Sequence, residues 1–321
     1  MKETEIISKF HELEPAYVRL AKAVEEALKH SLLDAGINAV SITSRLKDLE
    51  SFLEKIKRKS YKEPFKQNTD FAGARVVCLY TSDVYKIQEM IEKEFVVIEK
   101  ENKAEYLGVN KMGYQGFSYI IKLSKAYSGA YYDGLHDLIC EIQLRTATQD
   151  TWAIFSHDLL YKREDLIPSQ LERAINNVSS LLEIAQGVFD DTQKKRNQYE
   201  TEIREKSEDV NELLNQPIND ATLRAYTEIK FKKLPIKENI HSLILRDINI
   251  ADYPNLKALD EAINKAKPAV DIYYKEAPEL FKSGSDFITK SLGFIDDTFL
   301  VNHPFCQKTR EAVRKLRPLI E

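Results

Sequence analysis

The sequence predicts an α+β fold: a mixed β-sheet flanked by helices, followed by a helical C-terminal region. Three observations carry this. β-Branched or apolar runs at 39–43, 74–80, 95–98, 116–123 and 138–144 are interleaved with stretches of helical spacing. The order of these runs requires more than one hairpin-like connection, so the sheet is not purely parallel. Beyond Pro168 the strand-like runs stop and helical spacing alone continues.

The elements follow in order. In 3–35, Phe10, Leu13, Tyr17, Leu20, Val24, Ala27 and Leu28 recur three and four apart, the stripe of one or two helices, and Gly36 sits where a helix would stop. The β-branched run 39–43 predicts a strand, and 48–59 a helix that is basic at its far end. The segment 74–80 is nearly all apolar, as in a short strand buried on both faces. Ser82 and Asp83 are placed to cap a helix reaching about Glu94, and strands at 95–98, 116–123 and 138–144 precede a helix over 148–162. Leu171, Ile175, Val178, Leu182, Ala185 and Phe189 then mark one long amphipathic helix, which turns polar beyond Lys194. Pro217, Pro235, Pro254 and Pro268 punctuate shorter helices after it. The expected domains are 1–165, carrying the sheet, and 166–321, all helical.

Composition narrows the function classes. At 321 residues and 43% hydrophobic content the chain can bury a core, and two domains are the natural expectation. No apolar run is long enough to span a bilayer, so no membrane partner is expected. The charged N-terminus lacks a signal-peptide apolar core, which predicts a cytoplasmic protein. Cys78, Cys140 and Cys306 are far apart, so neither a disulfide framework nor a zinc site is supported; Cys78 and Cys140 lie in strand-like runs as buried thiols. A net charge of −4 argues against general nucleic-acid coating. Residues 45–66 nevertheless hold eight Lys/Arg against four Asp/Glu. That patch suits a compact polyanion such as a nucleoside triphosphate; the alternative is a solvated helix face.

Four segments carry the chemistry. Arg45 and Lys47, two apart on a strand, point the same way, and Lys55 can join them from the next helix to hold a triphosphate. Asp70 opens Asp-Phe-Ala-Gly-Ala-Arg, ending at Arg75. A carboxylate at the mouth of a strand suits Mg²⁺, which takes few protein ligands and relies on substrate phosphates; a turn or helix cap is the other reading. In Gly113-Tyr114-Gln115-Gly116 the glycines free the backbone to present a ring for base stacking, or the tyrosine belongs to an ordinary hairpin and the core. In Glu141-Ile-Gln143-Leu-Arg145-Thr, alternation lines an acid, an amide and a cation along one strand face, a polar wall or the wet face of an edge strand.

Taken in order, with Trp152-Ala153 and His157-Asp158-Leu159-Leu160-Tyr161-Lys162 after the last, these segments resemble the RelA/SpoT alarmone synthetase family, most closely its stand-alone members, over about residues 10–190. The resemblance implies a nucleotidyltransferase-like fold and a Mg²⁺-dependent transfer of pyrophosphate from ATP to the 3′-hydroxyl of GDP or GTP. It implies that Arg45, Lys47 and Lys55 contact the ATP phosphates, that Arg75 packs on adenine, and that Asp70 and Glu141 ligate Mg²⁺. Tyr114 would be the platform for the acceptor base, Gln143 and Arg145 would line its pocket, and Glu141 could take the hydroxyl proton. The family's Gly-Tyr-(Gln/Arg)-Ser-(Leu/Ile)-His stretch reads Gly113-Tyr114-Gln115-Gly116-Phe117-Ser118 here, preceded by Met112 where Asn is common. These departures all lie on the acceptor side. With the long C-terminal region they keep open a toxic relative that pyrophosphorylates tRNA or makes an adenine alarmone; a non-catalytic nucleotide-sensing module on the same fold is a third reading, against which intact Asp70 and Glu141 count. About 40 residues precede Arg45, too few for the hydrolase domain of bifunctional members. His136-Asp137 and His157-Asp158 are expected to be structural rather than a hydrolase metal site. Stand-alone members often assemble through C-terminal helices, so the stripe over 171–189 is compatible with a homo-oligomer, though intramolecular packing is the simpler account.

Overall fold

A computed structural model describes residues 2–102, 116–160 and 169–320, and the side chains of these except 157–160 and 169–172. The chain divides into two compact units, Met1–Gln193 and Lys194–Glu321.

The first unit is built on a five-stranded mixed sheet. Its elements are α1 (Glu3–Asp34), β1 (Ser41–Leu46), α2 (Leu49–Lys59), α3 (Pro64–Gln67), β2 (Ala72–Cys78), α4 (Thr81–Glu94), β3 (Phe95–Asn102), β4 (Phe117–Leu123), β5 (Cys140–Thr146), α5 (Ala147–Leu160) and the first part of α6 (Ser169–Lys206). The spatial strand order is β1-β2-β5-β4-β3. Only the β2–β5 pair is parallel, and it joins strands far apart in sequence, as a parallel pair must. The expected mixed sheet with flanking helices is therefore present, with strand limits shifted by up to four residues. β1 begins at Ser41 and reaches Leu46 because pairing with β2 draws Arg45 and Leu46 into the ladder. β2 ends at Cys78, where its pairing with β5 ends, and leaves Leu79 42% exposed.

One sheet face is apolar. Ala72, Ala74, Val76 and Cys78 of β2, Cys140, Ile142 and Leu144 of β5, and Tyr119 and Ile121 of β4 join the buried side of α1 in one core. α1 is a single helix ending before Gly36, whose φ of +65° suits glycine. Cys78 and Cys140 are fully buried free thiols, as expected, and burial pushes the Cys78 thiol up to about 12. Phe71 forms a second anchor, with ring centroids 4.4 Å from Tyr17, 4.8 Å from Phe10 and 5.4 Å from Phe52. Losing a buried ring of this kind costs about 3–5 kcal/mol, so the residue next to Asp70 is firmly held.

The N-terminus of α4 is not capped by Ser82 or Asp83. Asp190 of α6 accepts hydrogen bonds from the Thr81 backbone N–H (2.9 Å) and Oγ1 (2.6 Å). Gln186 bonds Thr148 Oγ1 and the Leu79 carbonyl. These contacts tie the first part of α6 to the sheet and carry the first unit to Gln193, beyond the 165/166 boundary expected from composition. They also leave the α6 stripe less buried than its spacing predicts, with Phe189 42% exposed.

The second unit is helical. It holds the remainder of α6, then α7 (Val210–Leu214), α8 (Asp220–Lys230), α9 (Glu238–Ile250), α10 (Leu256–Glu276), α11 (Gly284–Ile295), α12 (Asp297–Asn302) and α13 (Gln307–Leu316). Pro268 does not end a helix but lies inside α10. The buried residues Leu259, Ile263, Ala266, Ala269, Val270 and Tyr273 continue one stripe across it, so packing outweighs the missing backbone donor. Among the described residues no helix is long and apolar enough to cross a membrane.

Candidate active site

The site lies on the polar face of the sheet. Register sets Arg45 of β1, Gly73 of β2 and Glu141 of β5 in one row, and Arg75, Gln143 and Ser118 in the next. Partners directly opposite share a face, so these side chains face one way, opposite the core. β5 lies between β2 and β4, which rules out the wet edge strand: Glu141 is 9% and Arg145 7% exposed.

Beside this face is a cleft of about 690 Å³, within the usual size range of small-ligand sites. Arg45, Lys47, Lys55, Arg58, Arg75 and Arg145 contribute cations to its lining, against the carboxylates of Asp48 and Asp70. A concave wall with this excess attracts a polyanion. α2 presents Ser51, Lys55 and Arg58 to the cleft from one helical face, at spacings of four and three. Asp48 caps α2 by accepting from Ser51 N–H at 2.8 Å, which fixes where that face begins.

Asp70 is held between two cations. Lys47 Nζ lies 3.0 Å from Oδ2 and Lys55 Nζ 2.8 Å from Oδ1, all three side chains being less than a fifth exposed. Burial pushes the carboxyl up, but Lys55 and Lys47 outweigh it and hold it below its ordinary value. The turn or helix-cap reading of Asp70 therefore gives way to an ion-paired carboxylate at the cleft. The Phe71 anchor and the Lys47 N–H to Phe71 carbonyl bond (2.9 Å) fix its place.

Glu141 begins a hydrogen-bonded row along the sheet. Oε1 accepts from Ser118 Oγ at 2.6 Å and Oε2 from Gln143 Nε2 at 2.9 Å. Gln143 Oε1 accepts from Arg145 Nη2 at 2.8 Å. Asp150 Oδ1 of α5 takes Arg145 Nη1 at 2.9 Å and lies 3.3 Å from Arg75 Nη1. The row thus joins two guanidinium groups of the cleft to a partly buried carboxylate.

Of the residues singled out from sequence, Arg45, Lys47, Lys55, Asp70, Arg75, Gln143 and Arg145 line the one cleft, and Glu141, outside that lining, accepts a hydrogen bond from Gln143. Tyr114, with Gly113 and Gln115, lies outside the described residues. Arg58 and Ser51 were legible in principle, from their helical spacing to Lys55. Asp150 had no such signal, since its partners come from two strands. Asp70 and Glu141 offer the hard oxygen donors that Mg²⁺ prefers. Among the described residues there is no cluster of three or more His, Cys, Asp or Glu, which excludes an all-protein cage from that part of the chain. His136 hydrogen-bonds the Tyr127 carbonyl at 2.8 Å, a structural role.

Residues 44–166 match the family described as a region found in RelA / SpoT proteins. Over 142 residues the chain is 29% identical to the GTP pyrophosphokinase YjbM of Bacillus subtilis, covering 43% of this chain and 64% of that protein, so it spans just under two thirds of that relative's length. It is 28% identical over 152 residues to the GTP pyrophosphokinase YwaC of the same organism, covering 46% of this chain and 70% of that one. In fold, the structure is similar to that of a GTP pyrophosphokinase family protein from Streptococcus pneumoniae, with a TM-score of 0.51 at 18% identity over 60% of this chain and 94% of the other.

Proposed function

We propose, from the match of residues 44–166 to the region found in RelA / SpoT proteins, that the protein transfers pyrophosphate from ATP to the 3′-hydroxyl of GDP or GTP. The observation that carries this reading is the cationic cleft in which Lys47 and Lys55 clamp Asp70 while Gln143 links Glu141 to the cleft wall. The ATP phosphates take Arg45, Lys47 and Lys55 as counter-charges, and Arg75 packs on adenine. Drawing the two lysines toward phosphate frees the Asp70 oxygens. Asp70 and Glu141 would hold Mg²⁺, which, when bound, supplies charge neutralisation on the phosphates. Tyr114 stacks on the acceptor base, and Gln143 and Arg145 orient the acceptor.

Glu141 accepts the proton of the 3′-hydroxyl as that oxygen bonds to the β-phosphorus. The bond between the β-phosphorus and the α,β-bridging oxygen breaks, and AMP leaves with that oxygen. Positioning and electrostatics supply most of the acceleration, as expected for phosphoryl-type transfer. The setting is the cytoplasm, where alarmone synthesis serves a stringent-type response.

A second acceptor class stays in view because Met112, Gly116 and Ser118 depart from the family pattern on the acceptor side. Under it the acceptor is a tRNA 3′ end or an adenine nucleotide. Incubating the protein with labelled ATP and Mg²⁺ against GDP, GTP, ATP and bulk tRNA tests both. Label on GDP or GTP supports the main reading, and label on tRNA or ATP alone replaces it. Transfer to none of them leaves only a nucleotide-sensing module.

A further inference from the structure

We propose that Ser118 is the positioning residue that aims Glu141, an inference that rests on Glu141 acting as the proton acceptor of the transfer. Ser118 lies on β4, between β5 and β3, and is 5% exposed. The rest of the strand is Phe117, Tyr119, Ile120, Ile121, Lys122 and Leu123. A hydroxyl in such a run is costly to bury unless it is bonded. Its bond is the 2.6 Å contact to Glu141 Oε1, in the range of a charge-assisted hydrogen bond.

The geometry explains why Glu141 needs that bond. Its partners directly across the sheet are Gly73, which has no side chain, and Ile120, which has no polar atom. Neither restrains a carboxylate. A glutamate on a strand retains two further torsions beyond χ1, so a single donor would leave the group free to swing about that contact. Ser118 holds Oε1 from β4, and Gln143 holds Oε2 from β5. Two donors on two strands fix the plane of the carboxylate and leave each oxygen lone-pair capacity for the incoming proton. In the family pattern an imidazole stands at this position, so the hydroxyl is this chain's own arrangement.

The test compares Ser118→Ala, Ser118→Thr and Glu141→Gln in the transfer assay with labelled ATP and whichever of GDP, GTP, ATP or tRNA accepts label. Ser118→Ala should lower kcat about tenfold to a hundredfold, the scale set by misaiming a reacting group. The KM for ATP and for the acceptor should stay within twofold and the thermal midpoint should hold. Ser118→Thr, which keeps the hydroxyl, should restore most of kcat. A Ser118→Ala enzyme with unchanged kcat overturns the proposal, as does one whose KM values and melting temperature worsen together with no rescue by threonine. Glu141→Gln separates the two levels. If it is inactive while Ser118→Ala is normal, Glu141 keeps a catalytic role, as base or as Mg²⁺ ligand, and the positioning role of Ser118 falls. If Glu141→Gln turns over normally, or wild type labels no acceptor, the proton-acceptor reading itself fails and takes this proposal with it.

Discussion

Replacing Asp70 by asparagine should separate phosphate binding from chemistry. Asp70 pairs with the two ammonium groups proposed to hold the ATP phosphates, at 2.8 and 3.0 Å. At such separations the bare Coulomb attraction is about 5–6 kcal/mol at an effective dielectric of about 20. After desolvation the net value of a hydrogen bond to a charged group is about 1.5–3 kcal/mol. On the proposed reading, metal-free ATP competes with this pairing. Taking the lower figure for one of the two contacts, Asp70→Asn should tighten ATP binding in EDTA by about tenfold, since about 1.4 kcal/mol is one decade. The same variant should lose transfer activity at saturating Mg²⁺, because the amide cannot serve as an anionic ligand. Calorimetry with ATP in EDTA and a labelled-ATP transfer assay with Mg²⁺ measure the two effects. Weaker metal-free binding would show that Asp70 supports the cleft's shape rather than competing for its cations. Normal turnover would remove it from the metal site.

Three further outcomes are expected. Lys55→Ala and Lys47→Ala should each raise the KM for ATP and cut the rate, with roughly 2 kcal/mol lost per charged contact; unchanged kinetics in both would mean the patch is only a solvated face. Tyr114→Ala should cost tenfold to a hundredfold in acceptor use, the equivalent of roughly 1–3 kcal/mol of base stacking, with ATP affinity steady and Tyr114→Phe largely active; a parallel fall in melting temperature and ATP affinity would make Tyr114 a core residue instead. Glu25, bonded by Lys29, Ser44 and Lys22, has its carboxyl lowered from 4.5 to about 2. Its folded value being depressed, its stabilisation is complete above pH 4.5 and is lost as pH falls through about 2. Urea denaturation of wild type and Glu25→Gln should therefore show a gap that is constant from pH 7 to about 4.5 and narrows below it. A gap of the same size at pH 3 would assign the effect to packing.

Much of the fold and site was legible because period and chemistry coincide locally. The spacing of Phe10, Tyr17, Leu20 and Val24 marked α1, and the alternation of Glu141, Gln143 and Arg145 against Ile142 and Leu144 marked β5, since each pattern can bury only one face. The same alternation placed the acid, amide and cation together before any partner strand was known. What one-dimensional spacing could not supply was pairing. That Ser118 would meet Glu141, that one Asp150 oxygen would serve both Arg75 and Arg145, and that Asp190 would cap α4 from α6 all depend on which strands and helices become neighbours. The limits of β1 and β2 moved for the same reason, because a strand ends where its ladder ends. Pro268 shows the converse: a local signal to stop a helix was overridden by a continuous buried stripe. Sequence alone thus determined which residues carry charge and which face of each element they share. The order β1-β2-β5-β4-β3 decided which of those charges would stand within hydrogen-bonding reach, because contact between strands distant in sequence is set by the packing of the whole sheet.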